Sequence, residues 1–492
     1  FGSRACALPA VLCTARRAHR APLVDHALPV AVAAMMMPAA RCQLGFACRR
    51  VRAAAVASTR GRRATPRTAS GAIGRGLPEH RCFSAAGSDE VLRRRLWRWG
   101  ATNAGPMSKS EVVEVSTEPE LMEDFKGATS AACGSGHSAF VLDGQLYTFG
   151  ANKYSQLGRE AEDESSSTGS APAPVTIEDE DGRQFRTRFV ALGGLHSAAI
   201  TEGGELWTWG WGGSFWYGSG GLGHSDRTGA EEPTLVEKFV EDAEEVIQVA
   251  CGNQHTLVLT AEGRLYSTGK GDFGRLGRGE TCDEPEFEEI EYFTQSNDSV
   301  LAPNEPAAII KVGAGNNFSA ALSRQGELWV WGRNDYGQLG LGEEAMGDMY
   351  SAERYPRLVR SLPMEGHRVV DFACGEHHVV ALTASGAIYE WGSRTWLEPH
   401  PVSLPSRHAH GLKDVAKVAA GDKFSFALTA DGRLYSWGSK ASGCLAQGPN
   451  CPKNIVEPTL VPPEVFGHQR IIEIVASKWR CLAITQEDAF TA

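Results

Sequence analysis

The chain has 492 residues, of which 42% are hydrophobic and 22% charged, and a formal net charge of −10 at pH 7. One large domain can account for most of this length, and 55 glycines favour a turn-rich β fold. Apolar runs are too short to span a membrane, so at most a peripheral membrane contact is predicted. The sequence contains no P-loop, nucleophile elbow or paired-carboxylate motif, so we predict a binding protein without a catalytic residue or cofactor.

The first 87 residues differ in composition from the rest. They contain fourteen Arg and no Lys, with Asp25 and Glu79 as the only acids, so their net charge is 14 − 2 = +12. An arginine-rich, acid-poor leader is typical of a mitochondrial transit peptide. We predict cleavage after Phe83, a transit peptide over residues 1–83 and a linker over residues 84–94. A basic tail that binds nucleic acid is the alternative.

The start of the leader is a separate question. The chain begins with Phe1, and Met35, Met36 and Met37 are candidate initiators. Residues 1–34 are therefore interpreted as a candidate extension of the gene model.

The remaining residues, 88–492, carry −10 − 12 = −22 charges. A domain this acidic is repelled by a phosphate backbone. We therefore expect no direct DNA partner.

A two-part repeat covers most of the acidic region. Its first half has a Gly, then His or an aromatic residue three positions later, then an apolar run. This Gly recurs at steps of 46 to 63 residues, at Gly134, Gly193, Gly252, Gly315, Gly375 and Gly421. The second half reads G-x-L-[YW]-x-[WF]-G and ends at Gly150, Gly210, Gly269, Gly332, Gly392 and Gly438. Such a unit cannot bury its own apolar face, and its period suits one four-stranded propeller blade.

The two chain ends carry unmatched halves. A second half, Leu96–Gly100, has no first half before it, and a first half, Val475–Thr485, has no second half after it. Together they complete a seventh unit. The sequence therefore predicts an all-β, seven-bladed β-propeller over residues 95–488, in which the N-terminal and C-terminal strands pair and leave no free edge.

These motifs resemble the regulator of chromosome condensation (RCC1-like) repeat family. The resemblance covers Leu96 to Thr485 and includes the G-x-L-Y-x-W-G-x-N-x-x-G-Q-L-G unit. It implies a seven-bladed propeller that binds protein partners and, with the leader, a mitochondrial RCC1-like protein.

Histidines recur at one position of the repeat: His137, His196, His255 and His378. They could form a metal or catalytic ring, but Phe318 and Phe424 occupy the same position in two other units. Because Phe neither ligates metal nor transfers protons, we interpret the position as a packing position and predict no metal site. Cys133, Cys251 and Cys374 precede the repeat Gly and are also interpreted as packing residues.

One unit has a longer loop after its Trp-Gly. Eleven residues, Trp211 to Gly221, stand where most units have six. Trp211, Phe215, Trp216 and Tyr217 are candidate partner-binding residues, since exposed aromatic residues are common in binding hot spots. The alternative is a loop that folds back on the neighbouring blade.

The resemblance gives this insertion a context. The family's exchange factor for the Ran GTPase carries a wedge after its third second-half motif, and this insertion has the same place. The acidic turn residues of that factor are replaced here in Gly193–His196 and Gly252–His255, so Ran is not the predicted partner. The His-His turn is kept, which adds His377 as a candidate partner-binding residue. The tryptophan motifs of the light-sensing branch are missing apart from a partial match at Trp479, so light sensing is not predicted.

The predicted function is a mitochondrial protein-binding propeller, located in the matrix or on the matrix side of the inner membrane. It would serve as a guanine-nucleotide exchange or assembly factor for a small or dynamin-like GTPase. Two alternatives stay open: a non-catalytic scaffold of a mitochondrial ribosome or respiratory assembly, and a nuclear chromatin-bound Ran exchange factor.

Overall fold

A computed structural model describes residues 93–101, 115–160, 168–214, 218–295, 299–301, 307–345, 351–402, 414–440 and 443–487. The predicted transit peptide, most of the predicted linker and the aromatic residues 215–217 lie outside the described residues.

The strands are numbered in chain order. They are β1 (Arg94–Ala101), β2 (Val115–Lys126), β3 (Ala128–Cys133), β4 (His137–Leu142), β5 (Gln145–Ala151), β6 (Thr168–Val175), β7 (Thr187–Leu192), β8 (His196–Thr201), β9 (Leu206–Gly210), β10 (Gly213–Ser214), β11 (Gly218–Ser219), β12 (Ala230–Leu235), β13 (Val246–Cys251), β14 (His255–Thr260), β15 (Leu265–Gly269) and β16 (Glu284–Glu289). The second half of the chain contributes β17 (Ile309–Ala314), β18 (Phe318–Ser323), β19 (Leu328–Arg333), β20 (Ala352–Leu358), β21 (Val369–Cys374), β22 (His378–Thr383), β23 (Ile388–Gly392), β24 (Trp396–Pro401), β25 (Val415–Ala420), β26 (Phe424–Thr429), β27 (Leu434–Ser439), β28 (Asn454–Leu460), β29 (Arg470–Ser477) and β30 (Arg480–Gln486).

These strands form seven four-stranded antiparallel sheets within the described residues, which are the seven predicted blades. Blades 1 to 6 are β3-β4-β5-β6, β7-β8-β9-β12, β13-β14-β15-β16, β17-β18-β19-β20, β21-β22-β23-β24 and β25-β26-β27-β28. Within a blade we name the strands A, B, C and D in that order. The A strands of neighbouring blades contact one another and form the inner ring, and the B strands are almost wholly buried.

Blade 7 is built from both ends of the chain, as predicted. Its order is β29-β30-β1-β2, and β1 pairs with β30 in unbroken register from Arg94↔Gln486 to Gly100↔Arg480. The indole of Trp97 donates to Thr485 Oγ1 at 2.9 Å, and that of Trp99 donates to the Cys444 carbonyl of blade 6 at 2.7 Å. Both rings also pack edge-on against Phe466. The first strand of the propeller is therefore paired with the last strand and packed against the last 3₁₀ turn, while its other edge pairs with β2.

Short helices lie in the connections between blades. They are α1 (Glu237–Glu241), α2 (Tyr292–Gln295) and α3 (Ser361–Met364), with 3₁₀ turns at Asp272–Gly274, Glu343–Ala345 and Pro463–Phe466. Between the C strand of blade 3 and the A strand of blade 4, Phe287 of β16 and Phe293 of α2 are buried.

The hydrophobic cores lie between neighbouring blades rather than within one. Ala139, Val141 and Leu146 of blade 1, for example, share a cluster with Trp207 and Trp209 of blade 2. Each blade thus buries its apolar face only against its neighbour, which is why the repeat requires a closed ring.

A recurring hydrogen-bond network, here called the seam network, crosses each of several blade boundaries. His137 Nε2 lies 2.9 Å from Ser197 Oγ of blade 2, and Ser197 Oγ donates back to the Gln156 carbonyl of blade 1 at 2.7 Å. The indole of Trp209 donates to the same carbonyl at 3.0 Å. Because the hydroxyl proton is committed to the carbonyl, the imidazole must donate through Nε2. The repeat histidines therefore occupy packing positions, and their hydrogen-bond partners are side-chain hydroxyls of the next blade.

The histidine of one blade and the hydroxyl of the next change together around the ring. His196 meets Thr256, His255 meets Ser319 and His378 meets Ser425, each at 2.8 to 3.0 Å. Where Phe318 or Phe424 replaces the histidine, Val379 or Cys481 stands at the hydroxyl position of the next blade. An apolar pair thus replaces a polar pair, so no buried donor is left without an acceptor.

The repeat glycine is required by close packing. A Cβ at Gly193 would lie 2.5 Å from the Gly252 carbonyl oxygen of the next blade and equally close to the His196 ring. Any side chain here would separate two blades.

Burial sets the protonation state of these histidines. The pKa is lowered to about 3 for His137 and to about 4 for His196, and desolvation is the largest cause in both cases. The imidazoles are therefore neutral near pH 7 and act as hydrogen-bond donors between blades.

Charged side chains link the A strands around the inner ring. Lys311 of blade 4 pairs with Asp371 of blade 5, and Lys417 of blade 6 pairs with Glu473 of blade 7. Asp371 also accepts the Val418 amide at 3.1 Å. Lys311 also donates to the Phe372 carbonyl at 2.7 Å, so the Lys311–Asp371 pair satisfies backbone groups on the A strands of blades 5 and 6.

Closure by the N-terminal strand can be tested with Trp99→Ala. The variant removes a buried indole and its hydrogen bond, so we expect the free energy of unfolding to fall by about 3–5 kcal/mol. Urea denaturation of the full chain provides the measurement, and Trp396→Ala, at an exposed tryptophan of blade 5, is the matched control. Stability equal to that of the wild type would refute closure by both chain ends.

The seam network predicts a specific pH dependence. Unfolded histidine titrates near pH 6.5 and folded His137 near 3, so the unfolded state binds more protons between these values and stability falls as pH drops below about 6.5. The double variant His137→Phe/Ser197→Val copies the apolar pair Phe318/Val379. Between pH 7 and pH 5 it should lose about 2 kcal/mol less unfolding free energy than the wild type.

Ser197→Val alone is the control for this experiment. It leaves the His137 donor buried without an acceptor, so it should cost about 1–3 kcal/mol at pH 7. If the double variant kept the pH dependence of the wild type, His137 would not be a buried neutral residue.

Candidate partner-binding face

One face of the propeller carries both the turns between A and B strands and the loops between C and D strands. We call it the AB-turn face. The two sets are tied together inside each blade: Trp211 N donates to the Leu195 carbonyl at 3.0 Å, and Ser393 N to the His377 carbonyl at 2.7 Å. The turns also join neighbouring blades, for example through Gly194 N and the Gly252 carbonyl at 3.0 Å. This face is thus a continuous, backbone-bonded surface.

The insertion in blade 2 forms a hairpin on this face. Strands β10 and β11 pair through Gly213↔Ser219 and Ser214↔Gly218. Gly220 N donates to the Gly212 carbonyl at 2.8 Å and closes the base of the hairpin. Trp211 is half-buried at this base, whereas Phe215, Trp216 and Tyr217, which follow β10 in the sequence, lie outside the described residues.

The base of the hairpin lies against blade 3. A Cβ at Gly218 would come within 2.0 Å of Asp283 Oδ2, and His224 forms a β-bridge with Glu286. The glycines of the insertion are therefore needed for close approach to the next blade. The motif of blade 3 supplies no tryptophan to this boundary, because Thr268 stands at the motif position.

His377, the other candidate, lies in the AB turn of blade 5 and is half-buried. Its ring stacks on Tyr336 of blade 4 with centroids 4.3 Å apart and planes at 10°. Desolvation is the largest cause that lowers its pKa, and nearby Arg333 acts in the same direction. The structure therefore places a neutral imidazole on the face, supported from below by an aromatic ring.

The neighbouring turn residue Glu376 is engaged on both sides. It accepts from Asn316 Nδ2 at 3.2 Å and lies 3.4 Å from Lys478 Nζ of blade 7. Burial is the main cause that raises its pKa. Glu376 thus links three blades at the centre of the face.

Blade 5 lacks the loop that the other blades place on this face. Its C and D strands are joined by Ser393–Thr395 alone, whereas strand β19 of blade 4 ends at Arg333 and β20 begins at Ala352. In blades 1, 2, 3 and 6 a hydroxyl at the middle of the C strand donates to a leucine carbonyl of that loop, through Thr148, Thr208, Ser267 and Ser436. Blade 5 has Glu390 at this position.

In blade 1 the loop carbonyl of Gln156 accepts the hydroxyl and the indole of the next blade. In blade 5, which lacks this loop, the carboxylate of Glu390 takes over that role. It accepts from Ser425 Oγ at 2.8 Å and from the indole of Trp437 at 2.9 Å, both in blade 6. The missing loop also leaves an outer-strand residue uncovered. Arg354 of blade 4 and Leu397 of blade 5 contact the loop of the preceding blade. Val456 of blade 6 has no such loop beside it and is 87% exposed. The face therefore has an addition in blade 2 and a deletion in blade 5.

The sequence indicated Trp211 and His377 as candidate partner-binding residues, and that role stays a prediction. It did not indicate Tyr336, Glu390 or Arg394, which the structure places on the same face. Two features of the sequence indicate the missing loop in blade 5. The step between Gly375 and Gly421 is the shortest in the repeat, and a charged residue, Glu390, lies inside the motif. Within the described residues no group of three or more His, Cys, Asp or Glu side chains could hold a metal ion. No helix among them is long and apolar enough to cross a membrane.

Glu390→Ala should destabilise the boundary between blades 5 and 6. It leaves the Ser425 hydroxyl and the Trp437 N–H without their acceptor, so we expect a loss of about 2–4 kcal/mol in urea denaturation. Glu390→Gln keeps acceptor oxygen and should cost less. The matched control, Glu398→Ala at an exposed position of the next strand, should change stability by less than about 0.5 kcal/mol. Equal stability of Glu390→Ala and the control would contradict the assignment.

Two family models match the chain. The model described as the RCC1-like domain matches residues 215–488, more than half of the chain, and the model of the regulator of chromosome condensation (RCC1) repeat matches residues 143–200.

Three curated relatives illustrate the range of proteins that share the repeat. The chain is 36% identical to human E3 ubiquitin-protein ligase HERC2 over 259 residues, 29% to the Arabidopsis thaliana ultraviolet-B receptor UVR8 over 303, and 34% to the A. thaliana RCC1 domain-containing protein RUG3, mitochondrial, over 265. These alignments cover 52%, 61% and 53% of this chain and 5%, 61% and 52% of the relatives. The chain thus matches less than two thirds of the length of each.

Solved structures agree on the fold. Prp20p from Saccharomyces cerevisiae has a TM-score of 0.65 at 22% identity, over 81% of this chain and 93% of that one. Human WBSCR16 has a TM-score of 0.62 at 21% identity, over 80% and 99%. Together with the closed seven-bladed ring and the match over more than half of its length, these findings show that the chain belongs to the RCC1-like domain family.

Proposed function

We propose that this propeller is a mitochondrial protein-binding factor that promotes guanine-nucleotide exchange on, or assembly of, a GTPase. The observation that carries the proposal is the AB-turn face, where a two-stranded hairpin projects from blade 2 and His377 is presented from blade 5. A rigid ring with one modified face is suited to recognising a folded partner.

Exchange requires no covalent chemistry from this chain. The AB-turn face would dock on the GTPase, and the hairpin tip would enter near the nucleotide phosphates. Release is accelerated if the propeller binds the nucleotide-free state more tightly than the loaded state. A thousandfold preference corresponds to about 4 kcal/mol of differential binding, which a few buried aromatic contacts can supply.

The relatives support the two parts of the proposal separately. The solved Prp20p structure is described together with the binding of that protein to Gsp1p and histones, so a related propeller binds protein partners. RUG3 of A. thaliana is named as mitochondrial, in agreement with the arginine-rich leader of this chain. The partner and the compartment of this chain are our inference.

The test is a nucleotide-release assay on the GTPase that proximity labelling enriches around the full-length tagged chain. Phe215→Ala/Trp216→Ala should slow the stimulated release by about tenfold or more, because it removes the aromatic tip. Its melting temperature should stay within a few degrees of the wild type. Tyr355→Ala, at an exposed aromatic residue of an outer strand, is the matched control and should leave release unchanged.

Two outcomes would count against exchange. Full binding of the GTPase without any stimulation of release would favour a scaffold. Enrichment of ribosomal or respiratory subunits without a GTPase would do the same, and a nuclear signal would overturn the mitochondrial assignment.

A further inference from the structure

Two guanidinium groups share one buried carboxylate at the boundary of blades 4 and 5. Arg333 contacts both carboxylate oxygens of Asp335 at 2.7 Å. Arg394 donates from Nε to the Asp335 carbonyl at 3.2 Å, and its Nη2 lies 3.9 Å from Oδ2. The Asp335 side chain is 3% exposed and that of Arg394 is 60% exposed. One acid is therefore matched against two bases, and the outer base faces solvent.

Aromatic rings hold these guanidinium groups flat on the AB-turn face. Arg394 lies 4.4 Å from the centroid of Tyr336, which stacks on His377. Arg333 lies 4.9 Å from the centroid of Phe273 in blade 3. Stacked arginine is positioned before a partner arrives, so less side-chain entropy is lost on binding.

The backbone around the site is held in conformations that L residues rarely adopt. Ser393, Arg394 and Phe273 have φ values of 52°, 59° and 63°. Arg394 N donates to the Tyr336 carbonyl at 2.8 Å, which fixes the turn against blade 4. Strain of this kind clusters at binding and active sites.

The local charges are closer to balance than those of the domain. Lys270, Arg275, Arg333 and Arg394 face Asp272, Asp283 and Asp335. Glu376, Asp422 and Lys478 border His377, so these residues sum to 5 − 5 = 0, against −22 for residues 88–492. Arg275 is buried beside Phe273, and its Nη1 has no hydrogen-bond partner in the described part of the chain. On an acidic ring, a nearly neutral patch with an exposed guanidinium at Arg394 is a place where a single carboxylate can bind at short range.

We infer that the arginine cluster, formed by Phe273, Arg275, Arg333, Tyr336, His377 and Arg394, is a docking site for an acidic loop of a protein partner. Arg394 is the anchor and binds a partner carboxylate through the N–H groups that Asp335 leaves unused. Arginine and aromatic residues are the side chains enriched in binding hot spots. A protein loop fits better than a nucleic acid, because the charge of a phosphate backbone would be repelled by the surrounding acidic domain. The inference does not depend on exchange activity.

The experiment captures the partner on the full-length chain in cells. A photo-crosslinking amino acid replaces Thr395, the exposed neighbour of Arg394, and the adduct is mapped by mass spectrometry. The expected adduct lies on a protein, within a few residues of an Asp or Glu. In the same background Arg394→Asn, which keeps a residue tolerant of positive φ, should reduce capture by about tenfold.

Matched variants decide whether the charge is responsible. Arg357→Asn, at a similarly exposed arginine of an outer strand, should leave capture within about twofold. Arg394→Lys keeps the charge but loses the planar fork, so it should restore capture only in part. Arg394→Glu combined with Arg at the mapped partner carboxylate should recover capture.

Capture that is insensitive to Arg394→Asn would overturn the inference. So would an adduct on RNA, or an adduct site without a nearby carboxylate. Melting temperatures of the variants separate loss of the contact from loss of the fold. If capture behaves as expected while nucleotide release is not stimulated, exchange fails and the acidic docking site stands.

Discussion

The structure depends on a single constraint: no blade can bury its apolar face or satisfy its loop carbonyls without the next blade. Gln156 and Arg275 illustrate this, because each carbonyl accepts a hydroxyl and an indole from the following blade. The constraint explains why the repeat glycine has no room for a side chain and why His and hydroxyl positions change together. It also explains why the first strand must return to pair with the last, since an open ring would leave one set of donors and one apolar face in water.

Because packing between blades holds the four strands of each blade, the loops on the AB-turn face can differ from blade to blade. Blade 2 adds a hairpin without changing its four strands, and blade 5 loses a whole loop because Glu390 supplies the acceptor that the loop would have provided. Both changes fall on the same face, together with His377 and the arginine cluster. On the opposite face the turns between B and C strands of blades 1 to 6 are two to four residues long, whereas the connections between D and A strands differ in length and carry the helices α1 to α3. We propose the AB-turn face as the binding surface because blade 2 gains a hairpin and blade 5 loses a loop there.

Much of the fold could be predicted from sequence, because the same glycine, aromatic and apolar positions recur in each repeat. The Gly of the first half, the Trp-Gly of the second half and the unmatched halves at the ends were enough to predict seven blades and the pairing of β1 with β30. The site was predicted less completely. Trp211 and His377 are candidates because of their places in the repeat, and their role stays a prediction. The contact of Arg394 with the ring of Tyr336 joins residues of different blades, 58 positions apart, so no local sequence pattern indicates it. Likewise, Glu390 is recognisable as a substitute acceptor only when the loop geometry of the other blades is known.

Hydrogen–deuterium exchange of the full-length chain, alone and in complex with its isolated partner, tests the central claim most directly. The account predicts slower exchange in the complex at the AB turns of blades 2 to 5, the base of the hairpin and the Ser393–Thr395 turn, with the turns between B and C strands unchanged. Protection confined to those opposite turns, around Gly144, Gly326 and Gly386, would contradict it and move the binding surface to the other face of the ring.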